Sequence, residues 1–133
     1  MTNQQKQFSL KIPGNPKYVG VARLAVSGLA SRLPLSYEEV EDIKLVVAEA
    51  CSRAIVHGKG EEISVECGVE DNFFSLSVSD KGTGPQDEED LGIFLIRSLM
   101  DEVDFQLLNG QGCRLLMKKY FGEKQNESGP TQE

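Results

Sequence analysis

Apolar residues alternate with polar ones in five stretches of the chain and recur at helical spacing in three others. Alternation predicts strands, and a spacing of three and four residues predicts helices. The elements follow the order β-α-α-β-β-α-β-β, which predicts an α+β fold with three helices on one face of a mainly antiparallel sheet. Their predicted bounds are 8–12, 17–32, 37–57, 63–69, 74–78, 91–100, 103–107 and 113–118.

Local signals support the two long helices. Asn15 before Pro16 is a typical helix start, and Ser36 with Glu39 forms a capping box. Gly58 supplies a stop for the second helix. The predicted core stripes are Val19, Leu24, Val26, Leu29 and Ala30 on the first helix, and Val40, Ile43, Val47, Ala50, Ala54 and Ile55 on the second.

Composition narrows the class of protein. The chain has 133 residues, 39% of them apolar, and a formal net charge of −7. This balance argues against a nucleic-acid partner, since such proteins usually carry a basic face. No stretch has the apolar length of a membrane span, and the polar N-terminus lacks a signal-peptide core, so we expect a cytoplasmic protein. We expect one domain over 8–121 and a polar, disordered tail over 122–133.

The cysteines and the histidine offer little chemistry. Cys51, Cys67 and Cys113 are widely spaced, and His57 is the only histidine. A zinc site or disulfide framework is therefore not predicted, and buried thiols are the expectation. A catalytic Ser-His or Cys-His set would need His57, but the nucleophile motif that accompanies such sets is missing.

A D-x-G-x-G motif, Asp80-Lys81-Gly82-Thr83-Gly84, follows the third predicted strand. Gly82 and Gly84 allow φ > 0 and leave space for a ligand against the backbone, and Asp80 can accept hydrogen bonds from a ligand amino group. Taken alone, the same residues are also typical of a hairpin turn. Both interpretations stay open on this motif by itself.

Glu49 and Arg53 lie one turn apart on the second predicted helix. They form either a surface ion pair or part of a cleft, since the residues around them are mostly apolar.

The motifs taken together resemble those of the GHKL (Bergerat-fold) ATPase superfamily. Within it, the chain is most similar to the anti-sigma factor serine/threonine kinases of partner-switching systems. The matching segments span about 8–121 and include Ala48-Glu49-Ala50-Cys51, the D-x-G-x-G motif and Leu91-Gly92. The resemblance implies a two-layer α/β sandwich of the Bergerat type, with about five mainly antiparallel strands and three helices on one face.

The resemblance also implies roles for individual residues around bound ATP or ADP. Glu49 matches the general base that draws the proton from the attacking hydroxyl or water. Asp80 matches the aspartate that reads the adenine amino group, while Gly82 and Gly84 match the glycines on which the nucleotide lies. Gly92 matches the glycine at the helix opening under the phosphates.

The family implies partners as well. Arg23 matches a position that contacts the sigma factor or the anti-anti-sigma protein, a partner of the STAS type. The expected protein is a cytoplasmic homodimer that sequesters a sigma factor in a stress response. With ATP, it would phosphorylate the anti-anti-sigma partner on serine or threonine.

Two features depart from the family. Arg53 stands where the family's E-x-x-x-N pattern has the asparagine that holds Mg²⁺, and arginine offers no acceptor. Only residues 85–91 separate Gly84 from Gly92, a short acidic connection where relatives usually carry a longer lid. Either Arg53 neutralises the phosphates directly and metal dependence changes, or Arg53 pairs with Glu49 and leaves a protein-interaction module without kinase activity.

Two further classes compete with this interpretation. The ATP-binding half of a histidine kinase is disfavoured, because no phospho-accepting helical hairpin precedes residue 8. A generic α+β domain without a nucleotide site is the other rival.

Overall fold

The computed structural model describes residues 5–58, 61–82, 91–108 and 112–121. Within these ranges the α+β fold is confirmed. A 3₁₀ turn, Pro16–Tyr18, leads into the first helix. The elements are β1 (Gln5–Ile12), α1 (Val19–Ala30), α2 (Tyr37–His57), β2 (Ile63–Val69), β3 (Phe73–Asp80), α3 (Leu91–Leu99), β4 (Glu102–Leu107) and β5 (Cys113–Tyr120).

The strands form one antiparallel sheet in the order β1-β2-β3-β5-β4. The last strand therefore lies between β3 and β4 rather than at an edge. In the β3–β5 register, Asp80 stands opposite Cys113. This pairing brings the start of β5 to the end of β3, where the D-x-G-x-G motif begins.

One hydrophobic core lies between the sheet and the three helices. Val26 of α1, Val47 of α2 and Ile96 of α3 are fully buried, and they share a cluster with Leu76 of β3 and Met117 of β5. Alternate residues of β2 and β5 are buried, as expected for strands with one covered face. The other face of β3 carries two buried serines, Ser75 and Ser77.

Several predicted details were wrong. Leu24 is 74% exposed, and Ala22 takes its expected place in the core of α1. On α2, Val46 and Cys51 are also buried, so the apolar stripe is wider than predicted. Strand β3 runs to Asp80, two residues beyond its predicted bound of 78, so Asp80 lies at the strand exit as expected.

The end signals of α2 are confirmed. The Glu39 backbone N–H donates to Ser36 Oγ (3.1 Å), and the Ser36 N–H donates to Glu39 Oε1 (2.8 Å). The Gly58 N–H donates to the Ala54 carbonyl oxygen (2.7 Å) and closes the last turn. All three cysteines are buried, free thiols.

Some predictions concern residues outside the described ranges. These are Gly84, the acidic connection up to residue 90 and the tail 122–133. Among the helices that the structure describes, none combines the length and apolarity required to cross a bilayer.

Candidate functional site

Helix α2 forms one wall of the candidate site. Glu49, Arg53 and His57 succeed one another at intervals of four residues. Because an α-helix turns once every 3.6 residues, their side chains leave the same side of α2 in a row. The row begins beside α3 and ends beside the last residues of β3.

At the C-terminal end of α2, Asp80 and Gly82 pack tightly on the helix. An added Cβ at Gly82 would overlap the His57 carbonyl oxygen. One at Gly58 would lie 2.7 Å from the Ala54 carbonyl oxygen and 3.0 Å from Asp80 Cβ. Gly82 does not adopt the left-handed backbone considered from the sequence. Glycine is needed at 82 because two backbone segments approach each other closely.

The Asp80 carboxylate is partly enclosed and held in place. Its Oδ1 accepts a hydrogen bond from the Gly82 N–H at 2.6 Å. Burial raises the pKa of Asp80, while that N–H and the nearby charges of His57 and Arg53 oppose the rise. The second carboxylate oxygen is not engaged by this hydrogen bond, so the group retains capacity to accept one from a ligand.

The start of β5 completes this end of the site. Gly112 has φ +143°, and a Cβ there would overlap the Asp80 carbonyl oxygen. Cys113 lies beside Asp80 in the sheet. Burial and the Asp80 charge raise the pKa of the Cys113 thiol, and Arg53 opposes the rise. The raised pKa keeps Cys113 in the thiol form at neutral pH.

At the other end of the row, Glu49 lies against the first turn of α3. A Cβ added at Gly92 would overlap Glu49 Oε2 and lie 3.1 Å from its Cδ. The carboxylate is therefore in contact with the Gly92 backbone. A helix N-terminus carries free N–H groups and favours negative charge, so this corner suits anionic groups.

Arg53 occupies the space between the two ends. Its guanidinium carbon lies 5.2 Å from the centre of the Phe105 ring, a cation–π distance. Its charge acts on Asp80 and Cys113, lowering the pKa of each. Between residues that the structure describes, no ion pair joins Arg53 to Glu49.

The structure thus groups most of the predicted site residues along α2. Glu49 meets Gly92, and Asp80 meets Gly82, with Arg53 between the pairs. Gly84 lies outside the described residues. Arg23 is exposed on α1.

Sequence reasoning missed four residues of this site: Gly58, Phe105, Gly112 and Cys113. Gly58 was visible only as a helix stop. The last three join the site because β5 lies between β3 and β4, and local patterns do not give the order of strands.

The fold and the arrangement of the site define a class of protein. Residues 12–119 match the profile of the histidine kinase-like ATPase domain. The chain belongs to this family.

Particular relatives narrow the class. The chain is 38% identical to "Serine-protein kinase RsbW" of Listeria monocytogenes serovar 1/2a, over 96% of this chain and 95% of that protein. It is 36% identical to the protein of the same name from Bacillus subtilis, over 93% of this chain and 92% of that protein. The Listeria alignment extends over 151 positions, more than the 133 residues of this chain, so that relative has residues in the matched region that this chain lacks.

A solved structure is similar in fold. It is the histidine kinase domain of the blue-light activated histidine kinase EL346 of Erythrobacter litoralis, with a TM-score of 0.60 and 20% identity. The match covers 86% of this chain and 64% of that one.

Position 53 does not offer the oxygen ligand for Mg²⁺ that the resemblance implies there. Arg53 is a cation with donors only, and its guanidinium lies on Phe105. Within the described ranges, no group of three or more His, Cys, Asp or Glu side chains is placed to hold a metal ion.

Proposed function

We propose that the chain is an ATP-binding anti-sigma factor that phosphorylates an anti-anti-sigma partner on serine or threonine. Near-full-length similarity to proteins named serine-protein kinase supports this function. The observation that carries it is the pair of carboxylates along α2, Glu49 at the opening of α3 and Asp80 at the end of β3. One helix wall with these two ends suits a nucleotide lying along it.

In this proposal, Asp80 binds the adenine base of the nucleotide. An ionised carboxylate accepts from the adenine amino group, and the Gly82 N–H fixes its orientation through Oδ1. The resemblance assigns Gly82 and Gly84 to the surface on which the nucleotide lies. Phe105 and Cys113 contribute apolar surface nearby.

Glu49 performs the proton transfer. The hydroxyl oxygen of the partner's serine or threonine forms a bond to the γ-phosphorus, the bond to the bridging oxygen of ADP breaks, and Glu49 accepts the hydroxyl proton. The first turn of α3, at Gly92, offers backbone N–H groups to the phosphates.

Arg53 supplies positive charge along the same wall. It lies one turn from Glu49 and one turn from His57. It therefore stands between the end where the adenine base binds (the base end, at Asp80 and Gly82) and the end where phosphoryl transfer occurs (the transfer end, at Glu49 and Gly92). Its permanent charge offsets that of the phosphates without a metal ligand at this position.

Protein partners complete the proposed function. We assign the contact with the sigma factor and the STAS-type anti-anti-sigma protein to the neighbourhood of Arg23, whose exposure on α1 suits this role. The active form is proposed to be a cytoplasmic homodimer.

Nucleotide binding and phosphoryl transfer test the proposal in separate assays. Both ATP and ADP should raise the Tm of the wild type and of Glu49→Gln, since a ligand that binds only the folded state stabilises it. Neither nucleotide should raise the Tm of Asp80→Asn. Transfer of radiolabelled γ-phosphate to a purified STAS-type partner should fall about 100-fold or more in Glu49→Gln, as expected on loss of a general base.

The partner's serine-to-alanine form is the control for the site of transfer. A wild type whose Tm neither nucleotide changes would refute the proposed site. Binding of ATP without any transfer would instead leave a protein-interaction module that uses nucleotide only as a ligand.

A further inference from the structure

The contact between Glu49 and Gly92 limits where the Glu49 carboxylate can lie. A Cβ at residue 92 would overlap Oε2, lie 3.1 Å from Cδ and lie 3.3 Å from Cγ of Glu49. All three atoms belong to one flexible side chain. An added methyl group would therefore displace the carboxylate rather than press on backbone.

The elements that carry the two residues are each anchored in the core. Ile93 and Ile96 hold α3 with 1% and 0% exposure. Val46 and Ala50 hold α2 with 0% and 2% exposure. Because neither helix can move aside without opening the core, the Glu49 side chain is the part that yields.

We infer that Gly92 is a positioning residue for Glu49. This inference rests on the proposed function of Glu49 as the general base that accepts the hydroxyl proton. The bare Cα of Gly92 forms the surface against which the carboxylate is seated. This role is distinct from contact with the phosphates, which the resemblance assigns to the same glycine. It makes the opening turn of α3 part of the proton-transfer apparatus.

A thermodynamic cycle tests the contact without any nucleotide. The Tm is measured for the wild type, Glu49→Ala, Gly92→Ala and the double variant. The change caused by Gly92→Ala should be less favourable with Glu49 present than in Glu49→Ala, by about 3 °C or more. Glu49→Ala removes the three nearest atoms that the new methyl group would meet, so the helix preference of alanine should then dominate the effect.

Gly28→Ala is the matched control, because a Cβ at residue 28 of α1 would meet nothing within 4 Å. It should raise the Tm equally with and without Glu49, and it should leave transfer unchanged. Equal effects of Gly92→Ala in the two backgrounds would overturn the inferred contact.

Phosphoryl transfer then separates positioning from phosphate binding. In Gly92→Ala, kcat for transfer to the STAS-type partner should fall roughly 10- to 100-fold, while the Kd for ADP changes by less than about threefold. With Glu49→Asp already present, adding Gly92→Ala should reduce kcat much less, because the shorter side chain is no longer seated on Gly92. A loss confined to ADP affinity would overturn the inference.

Different measurements would contradict the proposed function and this inference. Failure of the proposed function appears in the wild type, as no transfer at all. Failure of this inference appears in the variants, as effects of Gly92→Ala that do not depend on residue 49.

Discussion

The two ends of the site along α2 are built from different parts of the chain. At the base end, Gly82 and Gly112 each face backbone atoms of a neighbouring segment, and Gly58 faces the Asp80 side chain. At the transfer end, Gly92 faces the tip of the Glu49 side chain. The base end is therefore tied to the fold, whereas the transfer end can change without disturbing it.

Arg53 lies on α2 between these two ends. A long cation stands where the family resemblance leads one to expect asparagine. The Phe105 ring accepts the guanidinium, and α2 continues for another turn to His57. A comparable change at Gly82 would collide with the main chain of α2.

Gly82→Ala should produce the largest loss of stability. The new Cβ would overlap the His57 carbonyl oxygen, and neither backbone segment can retreat without breaking the contact of β3 with α2. We expect a loss of about 3 kcal/mol in the free energy of unfolding, measured by urea denaturation, and loss of the Tm increase with ADP.

Gly20→Ala provides the comparison for this substitution. A Cβ at residue 20 of α1 meets nothing within 4 Å, so alanine there should stabilise by up to about 1 kcal/mol. If Gly82→Ala were as stable as the wild type, the two backbone segments would not be in the tight contact that distinguishes the base end.

Asp80→Asn should have a smaller effect of opposite sign on the unliganded protein. Burial raises the pKa of Asp80 above its ordinary value of 3.8, so folding favours the protonated acid. The stability that comes from this preference is fully present below about 3.8 and is lost as pH rises through the raised pKa. Above the raised pKa, the partly desolvated charge of Asp80 therefore opposes folding.

Asparagine removes the charge and still offers an oxygen to the Gly82 N–H. Urea denaturation at pH 7 should thus show a gain in stability below about 1 kcal/mol, and the gain should shrink as pH falls through the raised pKa. ADP binding should be lost in the same variant. A destabilised Asp80→Asn at pH 7 would mean that the attraction of Arg53 and His57 outweighs burial.

The sequence predicted the elements and the motif residues at the two ends of the site, but it did not predict the contacts between distant segments. Periodicity located the helices and strands. The spacing of the motifs placed Asp80 and Gly82 at the base end of the site and Glu49 at the transfer end. The closeness of Gly112 and Cys113 to Asp80 follows from the position of β5 beside β3, which depends on long-range pairing. The contact of Glu49 with Gly92 depends on how α3 packs on α2. The contact of Arg53 with Phe105 depends on the position of β4 relative to α2.

Arg53→Asn should have the smallest effect on stability and should test whether the part of the α2 wall between the two ends tolerates exchange. Loss of the contact with Phe105 should cost roughly 0.5–1 kcal/mol in urea denaturation. Nucleotide binding is measured as the increase in Tm on adding ADP. In the wild type, this increase should differ little between Mg²⁺ and EDTA. In Arg53→Asn, it should depend on Mg²⁺, because an amide oxygen can ligate the metal. Arg32→Asn, at an exposed position after α1, should change neither property. Strong Mg²⁺ dependence of the wild type would show that other groups hold the metal and that Arg53 does not take its place.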